Sequence, residues 1–310
     1  MNPKLTVIVC TYNRGDLITE TLPTLFNQDV SQNHFKVIIV NNNSTDHTSD
    51  ILQKFSAENS NLTVVEEKKQ GLSHAKNTGM RHTETDWIVY LDDDAKVPVD
   101  FIRKALSNID SSKFSCFGGV YLPWYKYGKP KWYKDNYSSN SNKLVEFGVL
   151  KTDYISGGIM AIKKNLLLKY DGFSTAVGMK GKNIAYGEET LLQIKLRQDG
   201  YEIGYDPNWI IYHLVGKYKL SIWWFLKSSY ASGKDSWIVY QLQPSIGKLF
   251  LYLFRSVKLF FINLYKSTIK LLNSDYYVQN WTIDLLRPTV IMQGQIVGGI
   301  KLILNKNANK

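Results

Sequence analysis

Three consecutive carboxylates, Asp92, Asp93 and Asp94, close an apolar run that begins at Trp87. Side by side they cannot all stay ionised without a compensating cation, because each like charge raises the cost of the next. Hard oxygen ligands at a strand end suit Mg²⁺ or Mn²⁺, which take one or two carboxylates and leave room for substrate phosphates. The bland alternative is an acidic turn capping a helix expected near Val99–Ile109, with Asp100 as a further cap. A second acidic pair, Glu188 and Glu189, falls where another helix is expected to open, and helix N-termini favour ionised carboxylates. Two uncharged or basic polar clusters, Thr11-Tyr12-Asn13-Arg14 and Asn41-Asn42-Asn43-Ser44, each follow a run of β-branched residues.

The elements that must position these groups alternate in type. Strands are predicted at Lys4–Cys10, Phe35–Val40, Leu62–Glu66 and Trp87–Leu91, with helices near Gly15–Asn27, Thr45–Ser56 and Leu72–His82 between them. Ser44 and Asp46 are the capping candidates for the second helix. Regular β-α-β alternation implies an α/β fold with a mainly parallel sheet, and ligands then bind at the carboxyl ends of the strands. All three polar clusters fall at such ends. Further on, Thr152–Lys164 reads as a return strand in which Gly157-Gly158 permits close backbone approach, and Gly187–Gly200 reads as a helix.

With 310 residues and 44% hydrophobic residues, the chain can bury a large core and general disorder is excluded. Cys10 and Cys116 provide neither a disulfide framework nor metal-binding spacing. The opening Met-Asn-Pro-Lys leads straight into a strand without the apolar region of a signal peptide. A cytoplasmic location is therefore expected. The net charge of +11 is concentrated in residues 217–310, which hold 13 Lys/Arg against three Asp, whereas residues 1–216 hold 25 basic and 24 acidic residues. That division separates a near-neutral domain, 1–216, from a basic C-terminal region, 217–310, suited to a polyanionic surface.

Residues 121–143 interleave seven Tyr and Trp side chains with Lys, Gly, Pro, Asn and Ser. They read as a long loop offering aromatic faces to a sugar or lipid-linked ligand, or as aromatics packed on the core. Beyond Lys217 the pattern is helical. Within Ser245–Asn273, Lys248, Arg255, Lys258, Lys266 and Lys270 fall in an arc of roughly 120°, with Leu, Phe and Val around most of the rest. The run is never charge-free for the ~20 residues that span a bilayer, so a helix lying in the interface fits better. The alternative is a helix packed on the catalytic core with its basic side in water.

The ordered set Thr6–Arg14, Val40–Thr48, Gly71–Gly79, the triple Asp and Gly187-Glu188-Glu189 resembles family 2 glycosyltransferases of the GT-A fold. The resemblance implies a Rossmann-like sheet flanked by helices and, with the C-terminal third, a mostly helical basic extension. It implies an inverting transfer from a nucleoside-diphosphate sugar, UDP-linked by preference, with Mn²⁺ or Mg²⁺. Thr11, Tyr12 and Arg14 would line the base and diphosphate, Asn41 and Asn43 the base and ribose, and Lys76 the base and phosphates. Asp92, with Asp93 beside it, would face the nucleoside, and Asp94 would bind the cation. His213 resembles a histidine that completes the metal site in some members. Glu189 matches the catalytic base, with Glu188 adjacent. The chain departs from the family in having Asn41 for Asp, Lys76 for Arg, Glu188-Glu189 for Glu-Asp, and Ile159 where many relatives carry Asn.

The basic C-terminal region predicts peripheral attachment at the cytoplasmic face of a membrane, where a lipid-linked saccharide, used in cell-surface polysaccharide or glycolipid synthesis, is the most natural acceptor. A non-catalytic sugar-nucleotide-binding scaffold is the rival from another class. A metal-dependent nucleotidyltransferase or nuclease would place its positive charge around the cleft rather than in the C-terminal third, so no nucleic-acid partner is expected. A dinucleotide-binding dehydrogenase is disfavoured, because no Gly-x-Gly-x-x-Gly turn follows the first strand.

Overall fold

The computed structural model describes residues 3–111, 113–181 and 183–308. These form two compact units. The first is built from the chain up to Trp124, Ser138–Thr175 and Leu192–Leu214; the second from Tyr125–Tyr137, Ala176–Leu191 and the chain from Val215 onward.

The first unit is a nine-stranded mixed sheet. Its strands are β1 (Leu5–Thr11), β2 (Phe35–Asn41), β3 (Leu62–Glu66), β4 (Trp87–Asp92), β5 (Ala95–Lys96), β6 (Cys116–Trp124), β7 (Gly148–Val149), β8 (Ile159–Lys163) and β9 (Ile203–Leu214). They lie in the order β3-β2-β1-β4-β8-β6-β9-β5, with β7 on β9. β1 to β4 are mutually parallel, whereas β8 runs antiparallel to β4 and β6. The helices are α1 (Gly15–Phe26), α2 (Thr48–Glu58), α3 (Leu72–His82), α4 (Phe101–Ser111), α5 (Lys164–Lys169) and α6 (Glu188–Gln198), the last beginning in the second unit. Strict alternation sends side chains to two cores. Val7, Val9, Val37, Ile39, Val89 and Leu91 meet α1, α2 and α4, while Ile8, Ile38, Val40, Ile88 and Tyr90 meet α3, α5 and α6.

Three expectations change in detail. The return strand is only Ile159–Lys163, because Ser156–Gly158 forms a turn before it. Helix α2 opens at Thr48, since Asp46 accepts the Thr48 amide at 3.0 Å. Ser44 does not cap that helix; its hydroxyl accepts the Asn13 amide instead.

The aromatic segment is not a free loop. Tyr121 and Trp124 lie in β6, while Trp132, Tyr133 and Tyr137 pack with Phe225 and Ile283 in the core of the second unit. Tyr133 is 2% exposed, and Asn280 donates to the Trp132 carbonyl and the Tyr137 hydroxyl. The packing alternative holds for these rings. The second unit otherwise consists of α7 (Ile222–Val239), α8 (Ile246–Lys270) and α9 (Val278–Ala308). Among the described residues, no helix is long and apolar enough to cross a membrane.

Candidate active site

Strand β4 ends at Asp92, and the chain turns through Asp93 and Asp94 into the two-residue strand β5. That short strand pairs antiparallel with β9, placing Ala95 opposite His213, and the Leu214 amide donates to the Asp94 carbonyl at 2.9 Å. The register carries His213 Nε2 to 3.1 Å from Asp94 Oδ1 and 3.4 Å from Asp92 Oδ2. One ligand atom from each of Asp92, Asp94 and His213 lies within 4.8 Å of the others. Two carboxylate oxygens and one imidazole nitrogen converging from partly buried positions fit a divalent cation. Gly158 shapes the other side, because a Cβ there would fall 2.1 Å from Asp92 Oδ2.

Asp93 has a different neighbourhood. Its carboxylate accepts the Thr11 hydroxyl at 2.7 Å, and its carbonyl accepts the Thr21 hydroxyl at 2.8 Å, tying the acidic turn to β1 and α1. Burial pushes Asp93 up to about 7 against the pull of Arg14 and the Thr11 hydrogen bond, and Asp94 and Asp92 add to the rise. Asp93 is therefore held toward its neutral form between its two acidic neighbours.

The other residues expected on the donor side have the following surroundings. Asn13 and Asn43 both occupy the left-handed region, at φ 52° and 62°, and Asn13 Oδ1 accepts the Thr45 amide at 2.7 Å. The Arg14 amide donates to Thr48, and Tyr12 is half-buried beside it. Asn41 is 1% exposed; its amide donates to Ser49 and Glu66 at 2.9 Å each, and its oxygen accepts the Ser44 amide. Lys76 is 3% exposed on α3, with its ammonium 5.0 Å from the Phe173 ring centre and 5.9 Å from that of Tyr90. Ile159 is fully buried in the core.

Asn42, named in the sequence only as part of its polar cluster, donates its amide to the Glu67 and Lys69 carbonyls, and its oxygen accepts the Gly71 amide. Its place inside a run of three Asn at a strand end was the available signal. In the second unit, Glu188 and Glu189 open α6; Glu188 is 4% exposed, and Glu189 is half-buried.

The order of this mixed sheet and the helices that flank it are those of the GT-A fold. The pattern of Glycosyl transferase family 2 matches residues 6–170, and the chain belongs to that family. It is similar to Glycosyltransferase AglE of Haloferax volcanii, 28% identical over 118 residues, covering 38% of this chain and 39% of that protein. It is also similar to the poly(ribitol-phosphate) β-N-acetylglucosaminyltransferase TarS of Staphylococcus aureus, 31% identical over 108 residues, covering 34% of this chain and 19% of that protein. The chain thus spans well under half the length of these relatives. In fold it is similar to the mannosyltransferase PcManGT of Pyrobaculum calidifontis, solved with GDP-Man and Mn²⁺, at TM-score 0.58 and 18% identity, covering 100% of this chain and 76% of that one.

Proposed function

We propose that the protein is an inverting glycosyltransferase that moves a sugar from a nucleoside diphosphate to an acceptor hydroxyl. The observation that carries this reading is the convergence of Asp92, Asp94 and His213 on one point at the carboxyl edge of the sheet. These three residues would hold the divalent cation, with Mn²⁺ favoured because an imidazole departs from the all-oxygen shell of Mg²⁺. The cation, when bound, supplies charge neutralisation to the leaving diphosphate. Thr11, Tyr12, Arg14, Asn41, Asn43, Lys76, Asp92 and Asp93 form the donor side, and a UDP-sugar is the preferred donor. This fits TarS, a structure of which holds UDP-GlcNAc.

Glu189 acts as the base. It is the less buried of the acid pair, so an acceptor can reach it. Its carboxylate takes the acceptor proton as the acceptor oxygen attacks the anomeric carbon and the bond from that carbon to the diphosphate breaks. A single displacement converts an α-linked donor into a β-glycoside.

The acceptor is a saccharide, lipid-linked and met at the cytoplasmic face of a membrane. Residues 1–216 supply the transferase domain, and the basic helices of 217–310 supply the attachment. The test is a panel of UDP- and GDP-linked sugars scored for slow hydrolysis with Mn²⁺ and with EDTA. Hydrolysis of one donor that stops in EDTA is expected. Donor binding without turnover on any donor or acceptor would instead make the chain a sugar-nucleotide-binding scaffold.

A further inference from the structure

The acid pair of α6 is approached through Tyr186 and Gly187, and both residues are held by one helix of the same unit. The Tyr186 hydroxyl meets Ser228 Oγ at 3.0 Å, and the Tyr186 backbone amide is near enough to the Asp235 carboxylate to favour its charged form, although burial raises that carboxyl overall. Gly187 has φ +100°, and a Cβ there would fall 2.4 Å from Val239 Cγ2. The Leu191 amide returns to the Gly187 carbonyl at 2.9 Å, and Leu191 packs with Val177 and Val239. Ser228, Asp235 and Val239 all lie on α7.

Asp235 is costly where it stands. It is 9% exposed in a largely apolar helix, its Oδ2 has no hydrogen-bond partner, and its nearest cation, Lys234, is 3.5 Å away. A buried carboxylate oxygen left unsatisfied costs more than an apolar side chain of the same shape. Local rules of this kind are broken where the group supplies something else. Here it faces the amide two residues before Glu188.

Helix α7 is itself fixed. A Cβ at Gly233 would fall 2.0 Å from the Ile291 carbonyl oxygen, one at Gly294 2.2 Å from that of Tyr230, and one at Gly298 2.2 Å from that of Lys234. The backbones of α7 and α9 therefore touch, and the Trp237 indole donates to the Gln295 carbonyl at 2.6 Å across the same contact. An acid presented from this pair inherits its rigidity, and reacting groups misplaced by about 1 Å can lose 10²-fold in rate.

We propose that α7, clamped by α9, is the positioning element for the Glu188–Glu189 pair, with Asp235 and Ser228 holding Tyr186 and Val239 closing on Gly187. The basic C-terminal unit then contributes to turnover as well as to attachment. This inference rests on an acid of that pair being the base.

The test combines kinetics with hydrogen exchange on the full chain. Asp235→Leu, Gly187→Ala and Tyr186→Phe should lower kcat, the first two by roughly 10–100-fold, with the KM for the donor unchanged. Exchange of amides 184–191 should quicken at least about tenfold, while the sheet strands keep their protection. Asp235→Asn retains an acceptor oxygen and should recover most of the loss. In a Glu189→Gln background the α7 substitutions should add little, because they act through the same carboxylate. Unchanged kcat and unchanged exchange in Asp235→Leu and Gly187→Ala would overturn the proposal. So would loss of protection throughout the sheet, which marks a purely structural role. Full activity of both Glu188→Gln and Glu189→Gln, with the exchange effects intact, would overturn the base assignment and leave the α7 contact as a local tether.

Discussion

His213 Nε2 lies 3.1 Å from Asp94 Oδ1 because a two-residue strand, Ala95–Lys96, pairs with the end of β9. The pairing fixes both backbones, so the carboxylate and the imidazole are organised before any cation enters, which lowers the cost of binding one. Asp94→Asn removes the negative oxygen and should nearly abolish metal-dependent turnover with the fold intact. His213→Ala should instead raise the Mn²⁺ concentration for half-maximal activity by roughly 10–100-fold, with recovery at high Mn²⁺. A Mn²⁺ titration of donor hydrolysis measures both. An unchanged midpoint in His213→Ala would remove the histidine from the ligand set.

Glu188 and Glu189 differ in burial, and that difference predicts different outcomes for their substitution. Glu189→Gln should keep donor binding and lower kcat by roughly 10²–10⁴, the usual worth of a positioned general base. Glu188→Gln, at a buried position, should cost thermal stability more than rate. Thermal melts and single-turnover rates on both variants decide the matter; the reverse pattern would exchange the assignments.

The pattern of β-branched residues made β1 to β4 and their helices legible, because strands buried on both faces read as short continuous apolar runs between helical segments. The polar clusters at Thr11–Arg14, Asn41–Ser44 and Asp92–Asp94 were legible for the same reason, since they interrupt that pattern at strand ends. The β5–β9 bridge was not, because two residues have no periodicity. Neither was the fate of Trp132, Tyr133 and Tyr137: their partner Phe225 is remote in sequence, and only tertiary packing shows that the rings are used up in a core. Asn41 was legible as a polar strand end, but its bonds to Ser49, Glu66 and Ser44 depend on how three neighbouring segments meet.

Glu67 links acid stability to one residue. Burial raises its pKa, but the Thr78 hydroxyl, the Lys69 amide and the charges of His74 and Arg81 outweigh that and hold it below the ordinary value. A depressed folded pKa stabilises the fold above the unfolded value, near pH 4.3, and the benefit is lost as pH falls through the folded pKa. Glu67→Gln should therefore lower stability at pH 7 by about 1.5–3 kcal/mol, the range for a hydrogen bond to a charged group. The gap to wild type should close by pH 3. Melting curves at the two pH values check this, and an equal deficit at both would assign the effect to packing.

Cys116 is 1% exposed, and burial pushes its thiol up to about 12, so very little thiolate forms at pH 8. Iodoacetamide at pH 8 should leave Cys116 unmodified in the native protein and label it fully in guanidinium. Peptide mass analysis reads the result. Native labelling of Cys116 at the unfolded rate would show that the sheet around β6, between β8 and β9, opens freely.

Helix α8 presents three faces, and their separation bears on membrane attachment. Ser256 and Ser267 are buried, and Leu249 approaches Gly299 of α9, which marks the packed side. Ile246, Phe250, Leu253, Phe254, Val257 and Phe261 are each more than half exposed, and at about 100° per residue they share one arc of roughly 100°. Lys248, Arg255, Lys258 and Lys266 occupy a different arc. An apolar stripe of that size is rarely left in water, and a basic flank with few acids matches an anionic leaflet. Phe250→Ser/Phe254→Ser/Phe261→Ser should abolish binding to vesicles containing phosphatidylserine at any salt concentration. Charge reversal at Lys248, Arg255, Lys258 and Lys266 should weaken binding, most visibly at low salt, because each basic residue near the surface is worth about 1 kcal/mol. Co-sedimentation with vesicles, beside sedimentation velocity without them, distinguishes the outcomes. Wild type that forms dimers through this stripe and ignores vesicles would replace the membrane with a second copy of the chain.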